Sequence, residues 1–303
     1  MKYVVIGGAG FIGSHMVDLL DDIHGDVVII DDLSTGKLEN VPNQDLFRYD
    51  ICNMPDLCKN FLLDADYVFH FAAKARVQPS IKDPVGFNDT NVNGLLYVLD
   101  VLRHSKKLKK FVFSSSSSVY GDQDTFPTVE TAPKNPTSPY GLQKLIGEQY
   151  IKLYSKIYGF PGVSFRYFNV FGERMGQNDA YSLLIGKWID VLKKNQPLTI
   201  FGSGEQRRDF IYVGDVVNVN YLAAISNVNS GEVFNIGCGN PISINEVADI
   251  FQRVVKCKKQ YLPPVIEPQT THADISLAKK TFDWLPTVRL EDWLPNYIKG
   301  ELC

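Results

Sequence analysis

Tyr3-Val4-Val5-Ile6-Gly7-Gly8-Ala9-Gly10-Phe11-Ile12-Gly13 decides the fold. Its β-branched start predicts a strand over Tyr3–Ile6, and the periodic stretch after the glycines predicts a helix over Phe11–Leu20. Glycines between a strand and a helix let the backbone turn tightly and approach a pyrophosphate, whose charge then rests on the helix N-terminus. A glycine pattern alone is weak evidence. Here strand, glycines and helix stand in the required order, and a second predicted strand, Asp26–Ile30, runs into Asp31-Asp32 about 20 residues on. A carboxylate in that place accepts hydrogen bonds from the adenosine ribose and repels a 2′-phosphate, so NAD is expected rather than NADP. The plain alternative for Asp31-Asp32 is a polar turn after a buried strand.

Further strands are predicted at Tyr67–His70, Lys110–Ser114 and Val163–Tyr167, and helices near Pro84–Arg103 and Pro139–Tyr158. Asp83 before Pro84 is a good helix start, a capping side chain followed by a residue without a backbone N–H. Alternation of this kind implies a parallel sheet covered on both faces, an α/β fold of the Rossmann-type doubly wound class. Beyond residue 168 turn signals thicken, as in Asn195-Gln196-Pro197 and Gly202-Ser203-Gly204. Ser243-Ile244-Asn245-Glu246 reads as a capping box opening a helix towards Val255. The expected division is a cofactor domain over 1–168 and a smaller α/β substrate domain over 169–303, with segments free to cross back.

The chain has 303 residues, 45% of them hydrophobic, enough for a well-filled core. A net charge of −3 argues against nucleic acid as a partner. The run Lys106-Lys107-Leu108-Lys109-Lys110 reads as a solvated connection. Cys52, Cys58, Cys238, Cys257 and Cys303 are scattered, which suits reduced thiols in a cytoplasmic protein better than a disulfide framework or a metal site. The apolar start is too short for a signal peptide or a membrane span, and no membrane role is expected.

Phe111 to Gly121 is a hydrophobic strand that opens into five serines, at the end of a strand where ligands bind in such sheets. Ser138-Pro139-Tyr140-Gly141-Leu142-Gln143-Lys144 puts Tyr140 and Lys144 on one helix face. A phenol is a poor base at neutral pH, but a nearby ammonium favours phenolate, which makes Tyr140 a candidate base with a serine hydroxyl beside it. The spacing alone is common on solvated helices; it gains weight behind the dinucleotide fingerprint.

Together these segments resemble the extended short-chain dehydrogenase/reductase family, and within it the nucleotide-sugar epimerases and dehydratases. The resemblance also rests on Asp31 to Gly36, Asp50-Ile51, His70-Phe71-Ala72-Ala73, Asn91-Val92-Asn93-Gly94, Arg166 to Gly172 and Arg208 to Val213, and it spans nearly the whole chain. It implies that Gly7, Gly10 and Gly13 cradle the pyrophosphate, with amides from Phe11 and Ile12. Asp31, with the turn Asp32-Leu33-Ser34-Thr35-Gly36, would hold the adenosine ribose, and Asp50 and Ile51 the adenine. Phe71, Ala72, Ala73 and Lys74 would line the middle of the cofactor, and Asn91, Ser114 and Phe168 its nicotinamide half. Ser116 matches the catalytic serine; Tyr140 and Lys144 would act on both substrate and nicotinamide ribose. Asn169, Lys187 and Arg208 would meet the substrate, Arg208 its diphosphate. The plain alternative for Arg208 is an ion pair with Asp209 or Glu205.

Within that family, 4,6-dehydratases carry an acidic pair after the first serine of the strand, and fucose-type epimerase-reductases a cysteine; here those places are serines. A Ser/Tyr/Lys set suffices to oxidise a sugar at C4 and reduce it again. The resemblance thus implies 4-epimerisation of a UDP-hexose or UDP-N-acetylhexosamine by a homodimer. One-way oxidation or reduction at C4 is the alternative, and a cofactor-binding regulator without turnover a third that the intact Ser/Tyr/Lys set argues against. One departure stands out: where the family has a basic pair before Ala273-Asp274-Ile275, this chain reads Gln269-Thr270-Thr271-His272, leaving Lys187, Arg207 or His272 to compensate. Lys74-Ala75-Arg76 is also more basic than an apolar loop requires.

Overall fold

The computed structural model describes residues 1–42, 44–176, 184–228, 230–265 and 267–302. In the first half, strands β1 (Lys2–Ile6), β2 (Asp26–Asp31), β3 (Asp45–Arg48), β4 (Tyr67–His70), β5 (Lys110–Ser116) and β6 (Gly162–Tyr167) alternate with helices. These are α1 (Phe11–Asp22), α2 (Asp56–Asp64), α3 (Val77–Lys82), α4 (Pro84–Asn88), α5 (Leu95–Leu102) and α6 (Pro139–Tyr158). The second half holds β7 (Asn169–Phe171), β8 (Leu198–Phe201), β9 (Arg207–Arg208), β10 (Phe210–Tyr212), β11 (Val233–Ile236), β12 (Ile242–Ser243) and β13 (Lys259–Leu262). Its helices are α7 (Leu184–Lys193), α8 (Val213–Ile225), α9 (Ile244–Val254), α10 (Ser276–Phe282) and α11 (Leu290–Leu302).

Seven strands form one parallel sheet in the order β11-β6-β5-β4-β1-β2-β3. The order reverses between β1 and β4, which opens a crevice at their C-terminal ends. Side chains alternate between two buried faces. Val5, Ile29, Phe69, Val112 and Phe165 meet α1 and α8, whereas Val4, Ile6, Val68, Phe111 and Phe113 meet α5 and α6. Burial on both sides explains why these strands read as unbroken apolar runs.

Segments of the second half return to this sheet, because β11 pairs with β6 and α8 covers one face. A separate core gathers Trp188, Leu198, Ile200, Phe251 and Leu294 from α7, β8, α9 and α11. The capping box forms as read: Ser243 Oγ accepts from Glu246 N, and Glu246 Oε2 accepts from Ser243 N at 2.7 Å.

Two expectations need correction, and two elements were not expected. The helix expected near Pro84–Arg103 contains a π-helical turn at Asp89–Gly94, from which Asn91 reaches back to Lys74. The lysine run is not wholly solvated: Lys107 and Lys109 pair with Asp64 and Asp66, and Lys110 is buried in β5 with Nζ donating to Val228 O at 2.9 Å. Strand β3 and helix α2, unread in the sequence, extend the sheet beyond β2 and cover it. Cys52, Cys58, Cys238 and Cys257 are free thiols, and Cys303 lies outside the described residues. No described helix is long and apolar enough to cross a membrane.

Candidate active site

The glycine loop is held by its own backbone. Gly7 N donates to Ile30 O at 2.8 Å, and Gly10 N to Gly7 O at 3.3 Å. Gly7 has φ +80°, and a Cβ there would lie 2.4 Å from Ala72 N. A Cβ on Gly13 would lie 2.1 Å from Gly7 O. These two glycines are therefore required by the fold itself. Gly10 is less confined: the nearest atom to a Cβ there would be Gly7 O at 3.3 Å, a tight contact that a small shift could relieve. Helix α1 begins at Phe11 with no side-chain cap and no acidic residue in its first turn, so its positive end is left for an anion.

Asp31 is buried, with Oδ2 accepting from Ala9 N at 2.9 Å and Oδ1 from Leu33 N at 2.8 Å. Burial raises its carboxyl above the ordinary range, and those two amides oppose the shift. Asp31 thus braces the glycine loop as well as facing the crevice. Asp32 caps the next turn through Ser34 N and Oγ, and a Cβ on Gly36 would press on Asp31 Oδ1 at 2.9 Å. Asp50 caps the short helical turn that begins at Ile51, which is buried against Gly94. Across the crevice, Phe71 N and Ala72 N both donate to Ile6 O. Asn91 ties one wall of the crevice together: its Oδ1 accepts from Lys74 N and its Nδ2 donates to Lys74 O, each at 2.9 Å, and Nδ2 also donates to Gln143 Oε1 at 2.8 Å. Its position is that of a brace between the loop at 71–74 and α6.

Strand β5 and helix α6 bring the reactive side chains together. Ser138 caps α6, Pro139 follows, and Gly159 ends it at φ +66°. A Cβ on Gly141 would lie 2.5 Å from Ser118 O, so the glycine lets α6 start hard against the serine turn. Ser116 Oγ accepts from Ser118 N at 3.2 Å. Tyr140, half-buried, has its N–H on Ser80 Oγ at 3.1 Å. Lys144 is buried, with Nζ donating to Ser114 O at 2.7 Å and lying 5.9 Å from the centre of the Tyr140 ring.

The electrostatics differ from the expected picture. Burial raises the Tyr140 phenol above its usual 10, opposed by a hydrogen bond with Ser116 and by the charge of Arg76. Burial also dominates at Lys144, pulling its ammonium down to about 7 against the charge of Glu148. In the protein by itself, then, Lys144 is poised between charge states rather than acting as a fixed cation.

Two residues were given no individual role from the sequence. Glu148, one turn beyond Lys144, accepts from Arg166 Nε at 2.9 Å and Nη2 at 2.6 Å and from Ser115 Oγ, and its charge raises the Lys144 pKa. The i, i+4 spacing from Lys144 was its one visible signal. His70, buried at the end of β4, has an Nδ1 with no partner and is pulled down to about 3 by burial and by Lys144.

The substrate residues expected in the second half are dispersed. Asn169 Nδ2 donates to Asp209 O at 3.1 Å and Thr271 Oγ1 at 3.3 Å. Phe168 is buried against Tyr120 and Ala273. Lys187 is exposed on α7. Arg208 is buried and does form an ion pair, but with Glu267 at 2.9 Å. Neither Asp209 nor Glu205 is its partner. Asp209 turns inward to accept from Cys238, Gly239 and Ala273 amides, and Glu205 meets Asn245. Arg207, on the other side of β9, pairs with Glu246, and His272 Nε2 lies 3.2 Å from Gly239 O. Strand alternation explains why Arg207 cannot assist Arg208.

The model of the NAD dependent epimerase/dehydratase family matches residues 3–237. A putative UDP-glucose 4-epimerase of Methanocaldococcus jannaschii is 39% identical over 97% of this chain and 96% of its own length. The UDP-N-acetylglucosamine 4-epimerase of Methanobrevibacter ruminantium, solved with UDP-N-acetylmuramic acid, superimposes with a TM-score of 0.92 at 37% identity, covering 98% of this chain and 97% of that one. The UDP-glucuronic acid 4-epimerase of Bacillus cereus, solved with UDP-glucuronic acid and NAD, gives 0.90 at 35% identity over 99% of both. The glycine cradle, the bracing aspartate and the Ser/Tyr/Lys cluster converge on one crevice, and with these matches the chain belongs to the NAD-dependent epimerase/dehydratase family.

Proposed function

We propose that this protein is an NAD-dependent 4-epimerase of a UDP-activated sugar. The observation that carries the reading is the meeting of Ser116, Tyr140 and Lys144 at the end of β5, beside the glycine cradle, with serines where a dehydratase would need an acid and a base. NAD, when bound, supplies a reversible hydride acceptor for sugar C4. Gly7, Gly10, Gly13 and the amides of Phe11 and Ile12 would hold its pyrophosphate, Asp31 its adenosine ribose, and Lys144 its second ribose. Tyr140 takes the proton of the sugar 4-hydroxyl while Ser116 holds that oxygen, and Tyr140 returns the proton after the 4-keto sugar has turned its other face. Arg208 and Asn169 would grip the diphosphate side of the substrate.

Leu142, Ile146, Leu153 and Ile157 run down one side of α6, and Leu142, Leu153 and Ile157 are between 47% and 58% exposed. That apolar stripe supports a homodimer joined through α6. Dispersed free thiols and dependence on NAD support a cytoplasmic setting. Turnover of UDP-sugars in D₂O without added NAD, followed by proton NMR, tests the function. Inversion at C4 with no solvent deuterium on carbon and no net NADH is expected. Deuterium at C3 or C5 would indicate enolisation instead, and stoichiometric NADH would indicate one-way oxidation.

A further inference from the structure

The segment that departs from the family pattern lies directly over Arg208. Arg207 N donates to Gln269 O at 2.8 Å, and Thr271 N returns a bond to Arg207 O at 3.0 Å, so residues 269–271 run alongside β9. Arg208 is fixed from behind: Nη1 donates to Arg207 O at 2.9 Å and reaches Gln269 O at 3.4 Å. Its other terminal nitrogen, Nη2, meets Glu267 Oε2 at 2.9 Å. The partners differ in freedom. The Arg208 side chain is only 10% exposed, whereas that of Glu267 is 36% exposed and, among the described residues, is held otherwise only by Gln206 Nε2 at 3.2 Å.

We propose that Glu267 is an internal competitor for the substrate diphosphate, resting on Arg208 and swinging into solvent when a nucleotide diphosphate takes its place. This rests on the reading of Arg208 as a diphosphate ligand. A guanidinium offers a fork that a carboxylate and a phosphate fill in the same way, so the two compete for the same donors. Both are anionic, so a diphosphate and Glu267 held on one guanidinium would repel each other. The immobile partner is the cation and the exposed one the carboxylate, which makes Glu267 the group that leaves. In a chain without the second basic residue, the acid then sets the affinity of the nucleotide site: it lowers it, and speeds release of a product that carries the same diphosphate.

The experiment is calorimetric titration of the full-length, cofactor-loaded protein with UDP, comparing wild type, E267Q, R208Q, the double variant and E205Q. E267Q keeps the size and the hydrogen bonding of the side chain and should bind UDP roughly three- to tenfold more tightly, the range for a part-exposed charged contact. R208Q should bind at least about tenfold more weakly. The double variant should behave as R208Q, because the gain exists only through the arginine. E205Q removes an exposed acid bonded to Asn245 and should leave affinity unchanged. Unchanged or weaker binding by E267Q, alongside an impaired R208Q, overturns the competitor while sparing the diphosphate reading. A gain by E205Q equal to that of E267Q would reduce the effect to net charge and also overturns it. UDP binding by R208Q at wild-type strength overturns the diphosphate reading itself.

Discussion

Lys144→Met should stabilise the cofactor-free fold while abolishing turnover. Burial brings the Lys144 ammonium from 10.5 to about 7. At pH 7.5 the unfolded chain holds a proton on this lysine that the folded chain largely releases. The difference of roughly three pH units between 7.5 and 10.5, at about 1.36 kcal/mol each, costs the fold about 4 kcal/mol. Methionine has a similar length and carries no charge, so this cost disappears. It leaves Ser114 O without the bond from Nζ at 2.7 Å, a loss of about 1–2 kcal/mol. The net gain expected at pH 7.5 is about 2–3 kcal/mol. Its pH dependence carries the sharper signature. Because the folded pKa is depressed, wild-type stability rises with pH between about 7 and 10.5, as the unfolded chain too loses its proton. The advantage of the variant should therefore shrink by about 2 kcal/mol between pH 7.5 and 9. Taking the difference between the two proteins removes the buried tyrosines and Cys52, which titrate identically in both. Urea unfolding of cofactor-stripped protein at both pH values measures it. An advantage that stays flat across this window, or a variant less stable than wild type, refutes the reasoning.

Tyr140→Phe removes one hydroxyl from the site and should cut kcat by at least about 10²-fold while retaining NAD, checked by steady-state kinetics and cofactor extraction. Glu148→Gln leaves Arg166 buried without its counter-charge; urea unfolding should show a loss of about 3 kcal/mol or more, and a loss below about 1 kcal/mol would mean that the pair is not a buried ion pair in solution. Gly13→Ala places a methyl 2.1 Å from Gly7 O, so the purified variant should lose NAD and show a lowered Tm; full cofactor content would contradict the packing described for the loop.

What could be read from the sequence follows from how local each signal is. β1, β4 and α6 were legible because their apolar runs and caps lie within a few residues, as at Ser138-Pro139. Strand β3 was not, since Asp45–Arg48 at the sheet edge is half polar and exposed at both ends. The return of β11 to the sheet depends on pairing with β6 some 70 residues earlier, which no window of sequence contains. In the site, residue types and their crevice were legible, but states of charge were not. Lys144 reads as a cation until its burial is seen, and nothing in the residues around Asn91 announces that its amide ties Lys74 to Gln143. Glu267 drew no notice because its significance lies in meeting Arg208, 59 positions away.

The placement of Tyr140 and Lys144 is a property of the whole of α6 rather than of those two residues. Gly141 lets the helix touch the serine turn, and Gly147 lets it approach Phe113, whose ring lies 4.9 Å from Lys144 Nζ. A Cβ on Gly147 would stand 2.6 Å from that ring, so any larger residue there pushes helix and strand apart beneath the lysine. Between these two glycines, Gln143 is tied to Asn91, and one residue past the second, Glu148 is tied to Ser115 and Arg166. Over two turns of helix, then, glycines set the distance and buried polar bonds set the rotation. A base acting on one hydroxyl needs both, since proton transfer tolerates little error in heavy-atom position. The same closeness that fixes the geometry excludes water from Lys144 and pulls its pKa down, so position and charge state at this site have a single cause.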